Sequence, residues 1–152
     1  MRPARHVAHV NVAKLKFEKG DPRVQLVFDA VPEIYALAER AAGCGWRRDD
    51  EAEEARAPDV FGEPGLLIAL SVWESSDALQ QFVYRSAHGG YLRQRASWFV
   101  PRNCANKALW WVERSERPSI DEARHRLDWL TRHGPGDVAF DFSTGKLQEK
   151  AS

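Results

Sequence analysis

Two stretches of this chain are apolar on both faces of a β-strand, and that restricts the fold more than any other feature. Along Leu66-Leu-Ile-Ala-Leu-Ser-Val-Trp73, a period of two sets Leu66, Ile68, Leu70 and Val72 against Leu67, Ala69, Ser71 and Trp73. Residues 108–113 repeat the pattern and aim Trp110 and Trp111 in opposite directions. An antiparallel sheet covered by helices on one side normally shows polar residues on the other. These strands do not, so their sheet is covered twice.

The rest of the chain supplies the other elements. His6-Val-Ala-His-Val-Asn-Val-Ala13 reads as a strand with His6, Ala8, Val10 and Val12 on one face and Val7, His9, Asn11 and Ala13 on the other. Asp21-Pro22 opens a helix whose stripe is Val24, Val27, Phe28 and Val31. Pro32 is expected to kink or restart it before Gly43-Cys44-Gly45 ends it. A short strand is centred on Trp46-Arg47-Arg48, and the acidic residues 49–65 read as an exposed, poorly ordered connection. Ser75-Ser76-Asp77 caps a helix with Leu79, Phe82 and Val83 on its stripe. His88-Gly89-Gly90 interrupts that helix ahead of a second piece ending at Trp98-Phe99. Ser119-Ile-Asp-Glu122 is a capping box for a helix lined by Ile120, Ala123, Leu127 and Leu130, and Gly134-Pro135 stops it. Val138, Phe140 and Phe142 alternate as a short edge strand or an apolar tail.

This order predicts one α+β domain over residues 1–152: a ferredoxin-like βαββαβ antiparallel sheet with a C-terminal helix. The doubly apolar strands then call for a cover on the second face. An identical sheet from another copy would supply it, giving a homodimer that closes a dimeric α/β barrel. The alternative is that the C-terminal helix or tail folds across the same face.

Composition narrows the partners. Lys+Arg 22 balance Asp+Glu 22, which argues against a nucleic-acid binder and gives no support to docking on an anionic membrane. No apolar run approaches the ~20 residues of a membrane span, and the N-terminus lacks a signal-peptide core. Two cysteines are too few for a disulfide scaffold. A cytoplasmic protein is the expectation.

Site chemistry centres on His88. In a continuous helix it shares a face with Tyr84 and Arg95, so an imidazole would stand beside a phenol and a guanidinium. His88 can then act as a general base or as an axial haem ligand, or it simply caps the break at Gly89-Gly90. Asn11 lies mid-strand, where asparagine is depleted, and either meets a wet edge or lines a cavity. Arg48 reads as a surface residue. Trp46, Trp73, Trp98, Trp110 and Trp111 are candidates to wall a pocket for a flat ligand, with core or interface packing as the plainer explanation, and Trp129 packs at a seam. His6 and His9 face opposite sides of their strand, and no histidine pair has zinc-motif spacing, so no metal site is expected.

The segments Ser71-Val-Trp-Glu-Ser-Ser-Asp-Ala-Leu79, Phe82-Val-Tyr-Arg-Ser-Ala-His88 and Arg95-Ala-Ser-Trp-Phe99 carry a resemblance. With His6-Val-Ala-His-Val-Asn11, Leu109-Trp-Trp-Val112 and His133-Gly-Pro135, they resemble the family catalogued as domain of unknown function 3291 over nearly the whole chain. The resemblance implies membership of the dimeric α/β-barrel proteins, alongside the antibiotic-biosynthesis monooxygenases. In that wider group, cofactor-free enzymes oxidise electron-rich polycyclic phenols. Haem-degrading enzymes share a stretch like Trp73-Glu74-Ser75 and use a strand-one asparagine, a helix tryptophan and a ligating histidine. Asn11 matches the first of these, but Phe82 and Leu92 stand at the other two positions. Ser115-Glu116 also stands where the closer family carries Gly-His before Arg117-Pro118.

Residues and resemblance together predict a small-molecule-binding protein, a monooxygenase-like tailoring enzyme acting on a hydrophobic aromatic substrate. His88, Asn11 and Arg95 form the expected catalytic group, and Trp73, Tyr84, Trp98, Trp111 and Phe82 the substrate walls. No cofactor is the leading expectation, with haem on His88 as the alternative. A non-catalytic ligand- or haem-binding module, or a non-redox cyclase or isomerase, remains open on the same fold.

Overall fold

The computed structural model describes residues 5–48, 51–86, 98–102 and 104–142. Strand β1 (His6–Leu15) is its spine. It pairs antiparallel with β3 (Leu66–Trp73) on one side, and β2 (Cys44–Arg47) adds outside β3. On the other side β1 meets β5 (Lys107–Val112) along its first half and the two-residue β4 (Phe99–Val100) at Lys14 and Leu15. The sheet therefore runs β2-β3-β1 with β4 and β5 sharing the last edge. It is an antiparallel five-stranded sheet in an α+β fold, compatible with the ferredoxin-like pattern. Phe99, expected at a helix end, is in a strand.

Register fixes which residues share a face. Val7 stands opposite both Trp73 and Trp111, so Val7, His9, Asn11, Ala13, Leu67, Ala69, Ser71, Trp73, Lys107, Leu109 and Trp111 all point to one side. Helices α1 (Gln25–Arg40) and α4 (Ser76–Ser86) cover that side, through Ala38, Leu79, Phe82 and Val83. Asp21 opens the first of these as expected: its carboxylate accepts from Arg23 N at 2.9 Å at the head of a 3-10 turn that runs into α1. The helix then passes through Pro32 without restarting. Ser75 Oγ accepts from Ala78 N at 3.1 Å and starts α4.

On the opposite face, Ala8, Val10, Val12, Ile68, Leu70, Ala108 and Trp110 are at most 5% exposed. Their cover is α5 (Ile120–His133), whose Ile120, Ala123, Leu127 and Leu130 are buried against them. Ser119 Oγ accepts from Glu122 N at 3.1 Å, and Gly134 takes a positive φ of 74° at the other end, so the start and stop signals in the sequence both operate. The face that the strand pattern left for a second copy is thus filled from within the chain. The C-terminal helix provides the cover, as the alternative reading had it.

Residues 51–61, part of the stretch expected as an open connection, contribute to this layer as well. Short helices α2 (Glu51–Glu54) and α3 (Ala57–Phe61) form there, and Ala57, Val60 and Phe61 pack into the same core. Apolar residues at i, i+3 and i+4 in an acidic stretch are the physical reason. Arg48, read as a surface residue, donates to Pro118 O at 2.7 Å and ties β2 to the segment before α5. After α5 the chain returns to the sheet edge, where Phe140 and Leu109 exchange backbone hydrogen bonds of 2.8 and 2.9 Å. Among the described residues no helix is long and apolar enough to cross a membrane.

Candidate functional site

The two faces of the sheet are not equally closed. Against the sealed α5 side, the middle of the α1/α4 side is only half-buried at Asn11, Ala13, Leu67, Ala69 and Lys107. These positions are contiguous, because Asn11 pairs with Ala69 and Lys107 while Ala13 pairs with Leu67. Small side chains stand at Ala13 and Ala69, and the polar residues of the face, His9, Asn11, Ser71 and Lys107, lie beside them.

Asn11 Oδ1 is buried without a hydrogen-bond partner. Two residues earlier on the same face, His9 is buried, and its Nε2 also lacks a partner. Burial, with Lys107 adding to it, holds the His9 imidazole far below its ordinary range, at about 3, so the ring is neutral at physiological pH. Its ring centroid lies 5.7 Å from that of Phe142. Ser71, opposite His9, accepts from Trp73 Nε1 at 2.8 Å and so satisfies the one polar atom of that buried indole. Each such unpaired atom costs about 1–3 kcal/mol unless something completes it.

The expected site residues divide. Asn11 lies in the half-open region. Trp73 and Phe82 come together as a stacked pair, with centroids 5.2 Å apart and ring planes 26° apart, but Trp73 is sealed in the core and cannot wall an open pocket. Trp111 is on the correct face, half-buried, 5.2 Å from Phe140 and with the Arg5 guanidinium 5.0 Å above it. Trp98 is buried near the far end of β1, where its carbonyl accepts from Lys16 N at 2.7 Å. Trp46 and Trp110 belong to the α5 face, so the five indoles do not wall one pocket. His88 and Arg95 lie outside the described residues, as does the side chain of Tyr84 on α4. His9 and Lys107 were missed in the sequence. The available signal was parity: His9 shares the face of Asn11, which also carries Ser71.

A separate groove of about 420 Å³ opens near the Trp73 end of this side, between the end of α1 and α4. Leu37, Arg40 and Ala41 form one wall, Ala78, Gln81 and Phe82 the other. It borders the Trp73–Phe82 stack, whereas Asn11 sits four residues along β1 from the strand partner of Trp73.

With this geometry in hand, the comparisons with known proteins decide the family. A family profile described as Domain of unknown function (DUF3291) matches residues 6–152. The chain belongs to that family. No curated protein and no solved structure matches it. DUF3291 membership brings no reaction with it, so the chemistry of this member rests on its own residues. Haem can be tested against them. His9 is the one described histidine on the α1/α4 face, and it is enclosed beside Phe142 and Leu109; Phe82, nine residues after Trp73, is packed onto that tryptophan. At 8% exposure His9 is too enclosed to take haem as it stands, and His88, the expected haem ligand, lies outside the described residues. Among the described residues, no three metal-ligating side chains come together.

Proposed function

We propose that this DUF3291 protein binds a hydrophobic, aromatic small molecule between the sheet and helices α1 and α4, with Asn11 orienting its polar end. One observation carries the reading: the unpartnered Asn11 Oδ1 lies in a contiguous half-buried stretch in the middle of the α1/α4 face. The apolar floor of Ala13, Leu67 and Ala69 suits a flat ring, and a buried carbonyl oxygen needs a donor. Oxygenase-like tailoring of that molecule, with His88 as base and Arg95 as partner, is the reaction this reading assigns; its support is the family resemblance and the residue types.

2-Naphthol is a suitable probe. Its binding, followed by tryptophan fluorescence, weakens about tenfold in Asn11→Leu while the thermal midpoint holds. An unchanged affinity removes Asn11 from the site and the proposal with it. Oxygen uptake with the same probe, abolished in His88→Ala, tests the catalytic half.

The resemblance also implies a homodimer. With α5 seated on the second face, a pair of chains has to use another surface, and ligand binding as proposed needs only one chain.

A further inference from the structure

The groove between the end of α1 and α4 carries charge of both signs in its lining, from Arg40 and Glu74. Arg40 Nε donates to Ala36 O at 3.2 Å, which draws the guanidinium back along the last turn of α1. Glu74 is anchored beyond the helix end. Its N donates to Gly43 O at 2.7 Å, and its Oε2 stands 3.8 Å from where a Cβ on Gly43 would lie. Among the described residues neither side chain forms an ion pair, with the other or with any third group.

The rest of the lining is apolar. Leu37, 43% exposed, is one of two large apolar side chains left open among the described residues, and it lies here. Phe82, on the α4 wall, is half-buried and stacked on Trp73. Gly43, at a φ of 87°, keeps the floor bare, since a Cβ there would stand 2.5 Å from that of Ala78. The volume of about 420 Å³ falls in the range of small-molecule sites, about 300–1,000 Å³.

Two opposite charges share this groove without neutralising each other, so a ligand that completes both carries both signs. A carboxylate suits Arg40, whose terminal nitrogens form a fork of donors. An ammonium suits Glu74, and the negative end of α1 favours a cation at the same place. We infer that the groove is a second binding site, for a zwitterion with an apolar side chain: a free α-amino acid or a short peptide with both termini free. Arg40 holds the carboxylate, Glu74 the ammonium, and Leu37 and Phe82 the hydrocarbon. This site is independent of the one at Asn11.

Titration calorimetry on the intact chain tests it with leucine, leucyl-leucine, N-acetyl-leucyl-leucine and leucyl-leucinamide. The free zwitterions are expected to bind, and each capped dipeptide to bind at least tenfold more weakly than leucyl-leucine, having lost one charge-assisted bond. In Arg40→Gln the dipeptide and its amide then bind alike, and in Glu74→Gln the dipeptide and its acetylated form do. Both side chains are exposed, so the thermal midpoint should hold in either variant. Whichever of leucine and leucyl-leucine binds more tightly identifies an amino acid or a peptide as the occupant. No binding of either zwitterion to the natural protein overturns the inference, and so does equal binding of the capped forms. Discrimination that survives Arg40→Gln or Glu74→Gln overturns it too, because other groups would then read the termini. Loss of zwitterion binding in Asn11→Leu would place the ligand at the strand site and remove it from this groove.

Discussion

A histidine enclosed by apolar neighbours and a lysine has a measurable consequence whatever the ligand. The unfolded imidazole takes a proton near pH 6.5, whereas the folded one resists it down to about 3. Between those values the unfolded chain binds more protons than the folded chain, so stability falls as pH drops from 6.5 toward 3 and is unaffected by this group above 6.5. Thermal midpoints measured from pH 7 to pH 4 should therefore decline in the natural protein, and the decline should be shallower in His9→Gln, which has no proton to gain. Parallel slopes for the two would show that His9 is free to protonate in the fold. In the sequence, His9 was assigned to the right face but not given a role, because strand parity places a side chain without saying how deeply it is enclosed. Asn11 could be singled out from residue type alone, since an amide is out of place in a strand.

At the level of elements, pattern and caps carried most of the information. The two-sided strands, the Asp21 opening, the Ser75 start and the Ser119–Glu122 box all appear where residue chemistry places them. Residues 51–61 were illegible because acidic composition outweighed an apolar triplet at helical spacing, and that triplet is buried by a surface the local sequence does not contain. Phe99 was misassigned for a related reason: its backbone partner is Leu15, more than eighty residues away. A cap whose geometry is seen can be given a magnitude. Ser119→Ala removes the acceptor for Glu122 N and should cost about 1 kcal/mol, read as a lower denaturant midpoint at constant slope. Ser119→Asp should recover most of it, because a carboxylate accepts the same bond and sits at the positive end of the helix. No loss in the alanine variant would mean that α5 is held by its packing alone.

For the whole molecule, the doubly apolar sheet admitted two completions, a second copy or the chain's own C-terminal helix, and strand pattern could not choose between them. Both bury the same side chains, so only the packing of α5 discriminates. That packing places Leu127, 2% exposed, against the core that includes Val10, Leu70 and Trp110. The two completions respond differently to a charge at Leu127. In a dimer joined by its sheets, α5 would lie elsewhere, and Leu127→Asp would leave the stability of the sheet intact. With α5 as the cover, the aspartate is forced into an apolar layer or the helix detaches and exposes that layer. Either outcome costs several kcal/mol, enough to take a domain of this size close to unfolding at 25 °C. Circular dichroism melts of Leu127→Asp should show a collapsed or absent transition. Arg124→Asp, on the exposed side of the same helix, should melt close to the natural protein, apart from the bonds Arg124 makes to Val60 O and Asp128. A normal melt for Leu127→Asp would return the second face to a partner, and the molar mass in solution would then be expected at twice 17.3 kDa.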